Sequence, residues 1–246
     1  MFRTGNGQRI PGVTERQMRE IDRIAMQEFG LGVFQMMENA GRSLALHVME
    51  MLGASTGEVA ILAGTGGNGG GGLCCARHLQ NRGIKVHLIL DRERHALRDP
   101  ALTQWQILEQ AGYTPARPRD AERLLANADI AVDALIGYSL HGAPTGRTAE
   151  LIARANQAAR RLIALDLPSG RNATTGAAPG AVILPERTLT LALPKTGLRG
   201  MDSELFVADI GIPPQVYQRL DLHVPPFFGE KYWVSIKGAR EERPAP

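Results

Sequence analysis

The sequence predicts an α/β protein: a Rossmann-like three-layer αβα sandwich with a mostly parallel sheet. Short apolar runs of strand length alternate with longer stretches of helical periodicity, which is typical of a parallel sheet covered by helices on both faces. In addition, the polar and glycine-rich segments directly follow apolar runs, where such sheets bind their ligands. With 43% hydrophobic and 22% charged residues, the chain has a globular composition, and we expect residues 1–246 to form a single domain.

The N-terminal segment predicts two helices that precede any strand. Thr14 can cap the first helix, and Gln17 can complete a capping box with it. The apolar residues that follow recur at helical spacing: Met18, Ile21, Ile24 and Ala25. A second helical run, 33–52, follows the break at Gly30.

The rest of the chain alternates between strand and helix patterns. Six apolar runs predict strands at 58–63, 84–90, 130–136, 162–167, 187–193 and 205–210. Helical stretches are expected at 69–82, 100–111, 121–127 and 145–159. The last nine residues, 238–246, lack apolar periodicity, and we expect a flexible tail there.

Composition argues against nucleic acids and membranes as partners. The net charge is only +3, and the arginines are spread along the chain. The first residues lack the apolar core of a signal peptide, and no run approaches the roughly 18 apolar residues of a membrane span. The adjacent residues Cys74 and Cys75 would rarely form a relaxed disulfide, so we expect a reducing, cytoplasmic setting.

The segment 64–72 holds seven glycines directly after the first predicted strand of the alternating region. Two further polar segments lie at the ends of later predicted strands: Asp133 to Gly137 at the end of 130–136, and Asp166 to Gly170 at the end of 162–167. Because ligands bind beyond the carboxyl ends of parallel strands, these three segments predict one common site.

The glycine run admits more than one interpretation. Gly64, Gly66 and Gly69 have the spacing of a dinucleotide fingerprint, and Asp91 follows at the end of the next strand, which would indicate an NAD-dependent dehydrogenase. The second interpretation is a tight turn between strand and helix, but such a turn needs only one or two glycines. The third interpretation is a nest of backbone N–H groups at a helix N-terminus that binds phosphates. A P-loop is excluded, because no Gly-Lys-Ser/Thr follows.

Six motifs in order resemble those of the NAD(P)H-hydrate epimerase family, the YjeF N-terminal domain. They are MMENAG at 36–41, GTGGNGGGG at 64–72, VDALIG at 132–137, DLPSG at 166–170, PKTGL at 194–198 and DIGIP at 209–213. The resemblance covers about residues 14–213. It implies an isomerase that interconverts the R and S forms of hydrated NADH and NADPH (NADHX and NADPHX), so that a dehydratase can restore the cofactor.

The resemblance also implies which residues form the site. Asn68, Asp133 and Ser169 would hold a potassium ion, and Asp166 would act at the reacting ring. Substrate contacts would come from Asp166 and from two loops: Gly67, Asn68, Gly69, Gly70 and Gly71 in the first, and Gly137, Tyr138, Ser139, Leu140, His141, Gly142 and Ala143 in the second. A separate ADP- or ATP-dependent dehydratase would be the pathway partner, and a homodimer is expected.

Some positions depart from the family pattern. Gly67 stands where the family has Asn, and Gly71 stands where it has Asp. Arg171 is an added base after the DLPSG motif, and Lys195 could reach a phosphate or be solvated. The six histidines show no metal-ligand spacing, so zinc has no support. Two alternatives stay open: a nucleotide-binding or scaffold relative of the same fold, marked by the missing loop acid, and the dehydrogenase.

Overall fold

A computed structural model describes residues 1–53 and 57–238. Within them, nine strands form one sheet. In chain order the strands are β1 (Phe2–Thr4), β2 (Arg9–Ile10), β3 (Glu58–Ala63), β4 (Lys85–Leu90), β5 (Ile130–Ala134), β6 (Leu162–Leu165), β7 (Arg187–Leu191), β8 (Glu204–Ala208) and β9 (Trp233–Gly238).

The helices connect and cover these strands. They are α1 (Glu15–Gln27), α2 (Val33–Leu52), α3 (Gly67–Gln80), α4 (Ala101–Gln110), α5 (Ala121–Asn127), α6 (Gly146–Ala158) and α7 (Pro214–Gln218), with short 3₁₀ turns at Arg94–Ala96, Pro118–Asp120 and Thr196–Leu198. The predicted capping box at Thr14 is present: its hydroxyl accepts from the Gln17 N–H, and the Gln17 side chain accepts from the Thr14 N–H.

The sheet is mostly parallel, as the sequence predicts. Its strand order is β2-β1-β9-β8-β7-β6-β5-β3-β4. Strands β3 to β8 run parallel to one another, whereas β9, β1 and β2 pair antiparallel at one end. The carboxyl ends of β4, β3, β5 and β6 therefore lie side by side at one edge, which is where the three polar segments begin.

Alternate residues of β3 show the two covered faces. Ile61 packs in a core with Leu44 of α2, Leu73 of α3 and Trp105 of α4, whereas its neighbour Leu62 packs with residues of α5 and α6. Continuous burial of β3 and β5 follows from helices on both sides. The three layers are thus helices, sheet and helices.

Three details of the predicted order of elements were wrong. Strands β1 and β2 precede α1, because their two or three residues are too short to show a pattern in the sequence. Strand β9 was not predicted, and Gly238, the expected first residue of the tail, pairs there with Phe2. The remaining tail residues, 239–246, lie outside the described residues. Within residues 1–53 and 57–238, no helix combines the length and the apolar character that crossing a bilayer requires.

Candidate active site

Close backbone contacts account for two of the glycines between β3 and α3. A β-carbon on Gly64 would lie 2.0 Å from the Leu135 carbonyl oxygen, and one on Gly69 would lie 1.8 Å from the Gly64 carbonyl oxygen. Neither neighbour can move easily, because both are backbone atoms. Packing alone therefore requires glycine at these two positions.

The later glycines of the run lie inside α3 and face side chains. A β-carbon added to Gly70 would lie 2.6 Å from the Met37 side chain. One added to Gly71 would lie 2.6 Å from Leu165, and one added to Gly72 would lie 2.5 Å from Ala134. These small residues let α3 pack closely against α2 and the sheet. The run thus serves packing more than we expected from the sequence.

Open space remains at the beginning of the helix. A β-carbon on Gly67 would meet no atom within 4 Å. The first intrahelical bond runs from the Gly70 N–H to the Gly66 carbonyl, so the N–H groups at positions 67 to 69 have no intrahelical acceptor. This helix N-terminus lies at the carboxyl edge of the sheet and favours a bound anion.

Asn68 and Asp166 converge on one glycine. A β-carbon on Gly137 would lie 3.2 Å from Asn68 Oδ1 and 3.1 Å from Asp166 Oδ2. The glycine-rich segment, the end of β5 and the end of β6 therefore meet, as the strand-end argument predicts. Asn68 Nδ2 is buried and forms no hydrogen bond among the described residues, so the amide has a free donor in this cluster.

Asp133 and Ser169 are bonded to each other in the interior. Asp133 Oδ1 accepts from the Ser169 hydroxyl at 2.6 Å, and Oδ2 accepts from the Ser169 N–H at 2.8 Å. Oδ1 also accepts from the Leu135 N–H. Ser169 Oγ accepts from the Ile136 N–H at 2.8 Å, which attaches the DLPSG turn to the segment that leads into Gly137.

Among the described residues, the Asp133 carboxyl has no basic partner. Both side chains of the Asp133 and Ser169 pair are fully buried, and within the described ranges no lysine, arginine or histidine forms an ion pair with Asp133. Burial raises its pKa to about 6, and the hydrogen bonds from Ser169 and Leu135 only partly oppose this. A carboxylate with no countercharge and about one remaining acceptor position is a suitable ligand for a cation.

Asp166 is held in an uncommon backbone conformation by its surroundings. Its φ is 66°, in the left-handed region that a residue other than glycine rarely adopts. Its N–H donates to the Leu189 carbonyl at 2.8 Å, and its Oδ2 accepts from the Tyr138 N–H at 3.1 Å. Such backbone conformations cluster at functional sites.

Lys195 supplies the countercharge that Asp166 requires. The ammonium lies 2.5 Å from Asp166 Oδ1 and also donates to the Leu191 carbonyl at 2.8 Å. Lys195 is 1% exposed and Asp166 is 3% exposed. The sequence left Lys195 as either a phosphate ligand or a solvated residue, but the structure places it in the interior against the candidate catalytic carboxylate.

The loop after β5 is attached to α1. The Tyr138 hydroxyl donates to Asp22 Oδ2. Two cations each lie 5.9 Å from the centre of the Tyr138 ring: Lys195 Nζ and the Arg19 guanidinium carbon. Burial raises the pKa of Asp22, and burial followed by the charge of Asp22 raises the pKa of Tyr138. Helix α1 therefore holds one wall of the site.

The rest of this loop differs in exposure along its length. Leu140 is buried, whereas four residues are exposed: Ser139, His141, Gly142 and Ala143. His141 Nε2 lies 3.5 Å from Arg19, so the outer part of the loop also approaches α1. An exposed loop beside Gly137 can contact a ligand that occupies the cluster of Asn68 and Asp166.

Asp91 and Arg171, which the sequence also singles out, form their hydrogen bonds outside the cluster of Asn68 and Asp166. Asp91 is buried at the end of β4, where Oδ2 accepts from the Thr148 hydroxyl at 3.0 Å. Burial raises its pKa, and its Oδ1 is also enclosed by protein. Arg171 is half-buried and donates to the Gly197 carbonyl at 2.8 Å, which fixes its loop to the segment after Lys195.

The sequence reasoning missed Asp22 as part of the site. The signal was present, since Asp22 is an acid within the helical pattern of Met18, Ile21 and Ala25, all of which are buried. An acid on the apolar face of a helix requires a buried partner. The identity of that partner, Tyr138, could not be read from the sequence, because it lies 116 positions away.

Comparison with known proteins assigns the chain to a family. The sequence profile of the YjeF-related protein N-terminus matches residues 33–197, which include the glycine run, Asp133, Asp166 and Lys195. The chain belongs to this family. The YjeF-related resemblance expected from six motifs is therefore confirmed.

Relatives in the YjeF-related family cover most of the chain. A protein of Dehalogenimonas lykanthroporepellens named NAD(P)H-hydrate epimerase is 50% identical over 90% of both chains. One of Rhodopirellula baltica with the same name is 36% identical over 87% of this chain and 89% of its own. The bifunctional NAD(P)H-hydrate repair enzyme Nnr of Moorella thermoacetica is 38% identical over 83% of this chain, which matches 41% of that enzyme.

A solved structure supports the fold of this YjeF-related chain. The crystal structure of yeast YNL200c aligns with a TM-score of 0.80 and covers 92% of this chain and 100% of its own. The identity is 21%, so this likeness concerns the architecture alone.

Proposed function

We propose that the chain is an NAD(P)H-hydrate epimerase, an isomerase that interconverts the R and S forms of NADHX and NADPHX. The observation that carries the proposal is the buried Asp166 carboxylate at a strand end, beside Asn68 and the loop that begins at Gly137. Two relatives that carry this name, at 50% and 36% identity, support it.

The proposed chemistry needs one group that moves a proton at the hydrated ring. The lone pair of the ring nitrogen assists departure of the C6 hydroxyl, and water then returns to either face. The departing oxygen takes a proton through Asp166 from the Lys195 ammonium, and Asp166 takes a proton from the returning water and passes it back to Lys195, so that the ion pair ends as it began. Lys195 and the Tyr138 N–H hold the carboxylate in place while this happens.

Binding of the cofactor's diphosphate is assigned to the N-terminus of α3. The free N–H groups of Gly67, Asn68 and Gly69 and the helix dipole favour phosphate oxygens there. Gly70 and Gly71 directly follow these residues in the helix, with their α-carbons packed against side chains, so any contact from them comes through other backbone atoms. The second set of contacts is the loop Gly137, Tyr138, Ser139, Leu140, His141, Gly142 and Ala143.

Asn68, Asp133 and Ser169 fit a potassium ion in their chemistry. They offer an amide oxygen, a carboxylate and a hydroxyl, which are hard oxygen ligands, and the carboxylate is buried without a countercharge. When bound, the ion would supply positive charge that favours the anionic phosphates of the substrate. The proposal assigns the ion no proton-transfer step.

The remaining parts of the proposal concern the surroundings of the enzyme. A separate ADP- or ATP-dependent dehydratase would consume the S form, and bifunctional relatives named as repair enzymes support such a pairing.

Buried free thiols at Cys74 and Cys75 are consistent with a cytoplasmic setting. A homodimer is proposed, supported by three exposed apolar side chains near the junction of α1 and α2: Met26, Phe29 and Phe34.

The test is an assay with the purified R hydrate. The protein is mixed with this hydrate, ATP and a dehydratase specific for the S form, and recovery of absorbing NADH is followed. We expect recovery faster than the spontaneous rate, and an unchanged rate would contradict the proposal. Asp166→Asn should remove most of the acceleration, while Asp221→Asn, an exposed site, serves as the matched control. Because Asp166→Asn leaves the buried Lys195 ammonium unpaired, binding of the hydrate is measured at a temperature where the variant is folded, and there it should be largely intact.

A second candidate is a nucleotide-binding relative that has lost activity. The packing at Gly71 favours it, since Leu165 fills the space that a side chain at this position would occupy. Binding of the hydrate without any acceleration would support this candidate. Hydride transfer to a carbonyl substrate would instead support the dehydrogenase, in which Asp91 would have to leave its buried position.

A further inference from the structure

A cluster of possible metal ligands lies away from the strand-end site, between α2 and α3. Cys74 and His78 are four residues apart on α3 and therefore share a face of that helix. Glu38 of α2 faces them. The helices approach closely here, because a β-carbon on Gly41 of α2 would lie 2.5 Å from Cys74 Sγ.

The three side chains already surround one small volume. Glu38 Oε1 lies 2.8 Å from His78 Nε2, and Glu38 Oε2 lies 3.4 Å from Cys74 Sγ. The ligand atoms of all three residues lie within 4.8 Å of one another. In a tetrahedral zinc site, bond lengths of about 2.0–2.3 Å separate neighbouring donors by about 3.3–3.5 Å. Only small side-chain movements would bring the cluster to that geometry.

The donor set indicates the kind of metal. A thiol, an imidazole and a carboxylate together suit Zn²⁺ better than Mg²⁺ or Ca²⁺, which prefer oxygen ligands. Three protein ligands leave a fourth position for water. That position can face solvent on the Glu38 side, since 43% of the Glu38 side chain is exposed.

Arg77 occupies the same volume as a competing cation. Its NH2 group lies 2.5 Å from Glu38 Oε2 and 3.5 Å from Cys74 Sγ. Its Nε is buried and forms no hydrogen bond among the described residues. Because a quarter of the Arg77 side chain is exposed, the guanidinium can turn towards solvent and leave the carboxylate to a metal.

We propose that Glu38, Cys74 and His78 form a zinc-binding site that is distinct from the substrate site. Binding replaces the thiol proton of Cys74, which passes to solvent, and displaces the Arg77 guanidinium from Glu38. The metal links α2 to α3, and α3 begins with the glycine-rich segment. Histidine spacing does not reveal this site in the sequence, because Glu38 comes from another helix.

The test uses the full reduced chain, freed of metal, with Co²⁺ and Zn²⁺ as probes. Co²⁺ should produce a thiolate-to-metal absorption band in the near ultraviolet, and Zn²⁺ should abolish it in a 1:1 titration. Cys74→Ala should remove the band and weaken Zn²⁺ binding by at least about 10–100-fold, while Cys75→Ala, the matched control, should keep both. A wild-type titration without the band would overturn the proposal, as would a band that depends on Cys75.

Two further variants keep the test decisive if a cysteine variant does not fold. His78→Gln should weaken Zn²⁺ binding in calorimetry to a similar extent. Arg77→Gln should strengthen it several-fold, because the competing cation is gone. If the three side chains only form hydrogen bonds between the helices, Arg77→Gln will not strengthen Zn²⁺ binding, and equal affinity in wild type and His78→Gln will point to an adventitious ion.

Discussion

The ammonium of Lys195 lies 2.5 Å from Asp166 Oδ1, and both side chains are almost completely buried. The pair joins the end of β6 to the segment after β7. A buried ion pair contributes little net stability, but either charge alone in the interior is costly. The pair therefore constrains what each residue can be replaced by.

Lys195→Met should destabilise the protein by about 3–5 kcal/mol, because it leaves the Asp166 carboxylate without its partner. Adding Asp166→Asn should recover much of that loss, since the buried charge is then gone. Urea unfolding of the two single variants and the double variant measures this coupling. Strictly additive losses would show that the two charges do not depend on each other.

The melting temperature of the wild type should be higher in a potassium salt than in the salt of a large organic cation at equal ionic strength. Asp133→Asn should remove this difference, because the buried carboxylate that would attract the ion is neutralised. Asp91→Asn is the matched control, a buried acid at the end of β4, which β3 separates from β5, and should leave the difference unchanged. Thermal unfolding in both salts decides the matter. A potassium effect that survives Asp133→Asn would mean that the ion binds elsewhere.

Glycine is required at some positions of the run and not at others. Gly64→Ala should cost several kcal/mol, since its β-carbon would lie 2.0 Å from a backbone carbonyl oxygen. Gly67→Ala should stabilise the fold by up to about 1 kcal/mol, because the space is open and alanine favours a helix. Chemical denaturation of the two variants measures the contrast. Similar effects of both substitutions would contradict the packing account.

The sequence predicted the alternating part of the fold well. Strands β3 to β8 are buried apolar runs with helices between them, and their pattern reveals both the parallel sheet and its two covered faces. The antiparallel end of the sheet could not be predicted in this way. Strands β1 and β2 are too short to show a period, and the sequence predicts a tail at Gly238 because its partner, Phe2, lies at the other end of the chain.

The candidate site was predictable to the extent that strand ends position it. Asp133 lies near the end of β5 and Asp166 directly follows β6, its parallel neighbour, so their proximity follows from the topology alone. Pairings between distant segments were not predictable: Lys195 with Asp166 and Tyr138 with Asp22 depend on tertiary packing. The glycines were interpreted mainly as ligand contacts, because a sequence does not show which backbone atoms will face them.

His47 makes stability depend on pH at a site far from the substrate. It is fully buried between Phe206 and Trp233, and its Nδ1 lies 3.3 Å from Arg187. Burial, followed by the charge of Arg187, lowers its pKa from 6.5 to about 3. Between these values the unfolded chain binds a proton that the folded protein does not. Stability from this group is therefore complete above about pH 6.5 and is lost as the pH falls towards 3.

The lowered pKa of His47 corresponds to a loss of unfolding free energy of at most about 5 kcal/mol at pH 3 and of about 2 kcal/mol at pH 5. His47→Gln removes the titrating ring and keeps an acceptor for Arg187, so its stability should fall less than that of the wild type between pH 7.5 and pH 5. His95→Gln, at an exposed position, is the matched control and should follow the wild type. Urea unfolding at the two pH values gives the comparison. Parallel losses in wild type and His47→Gln would show that other groups govern the acid sensitivity of the fold.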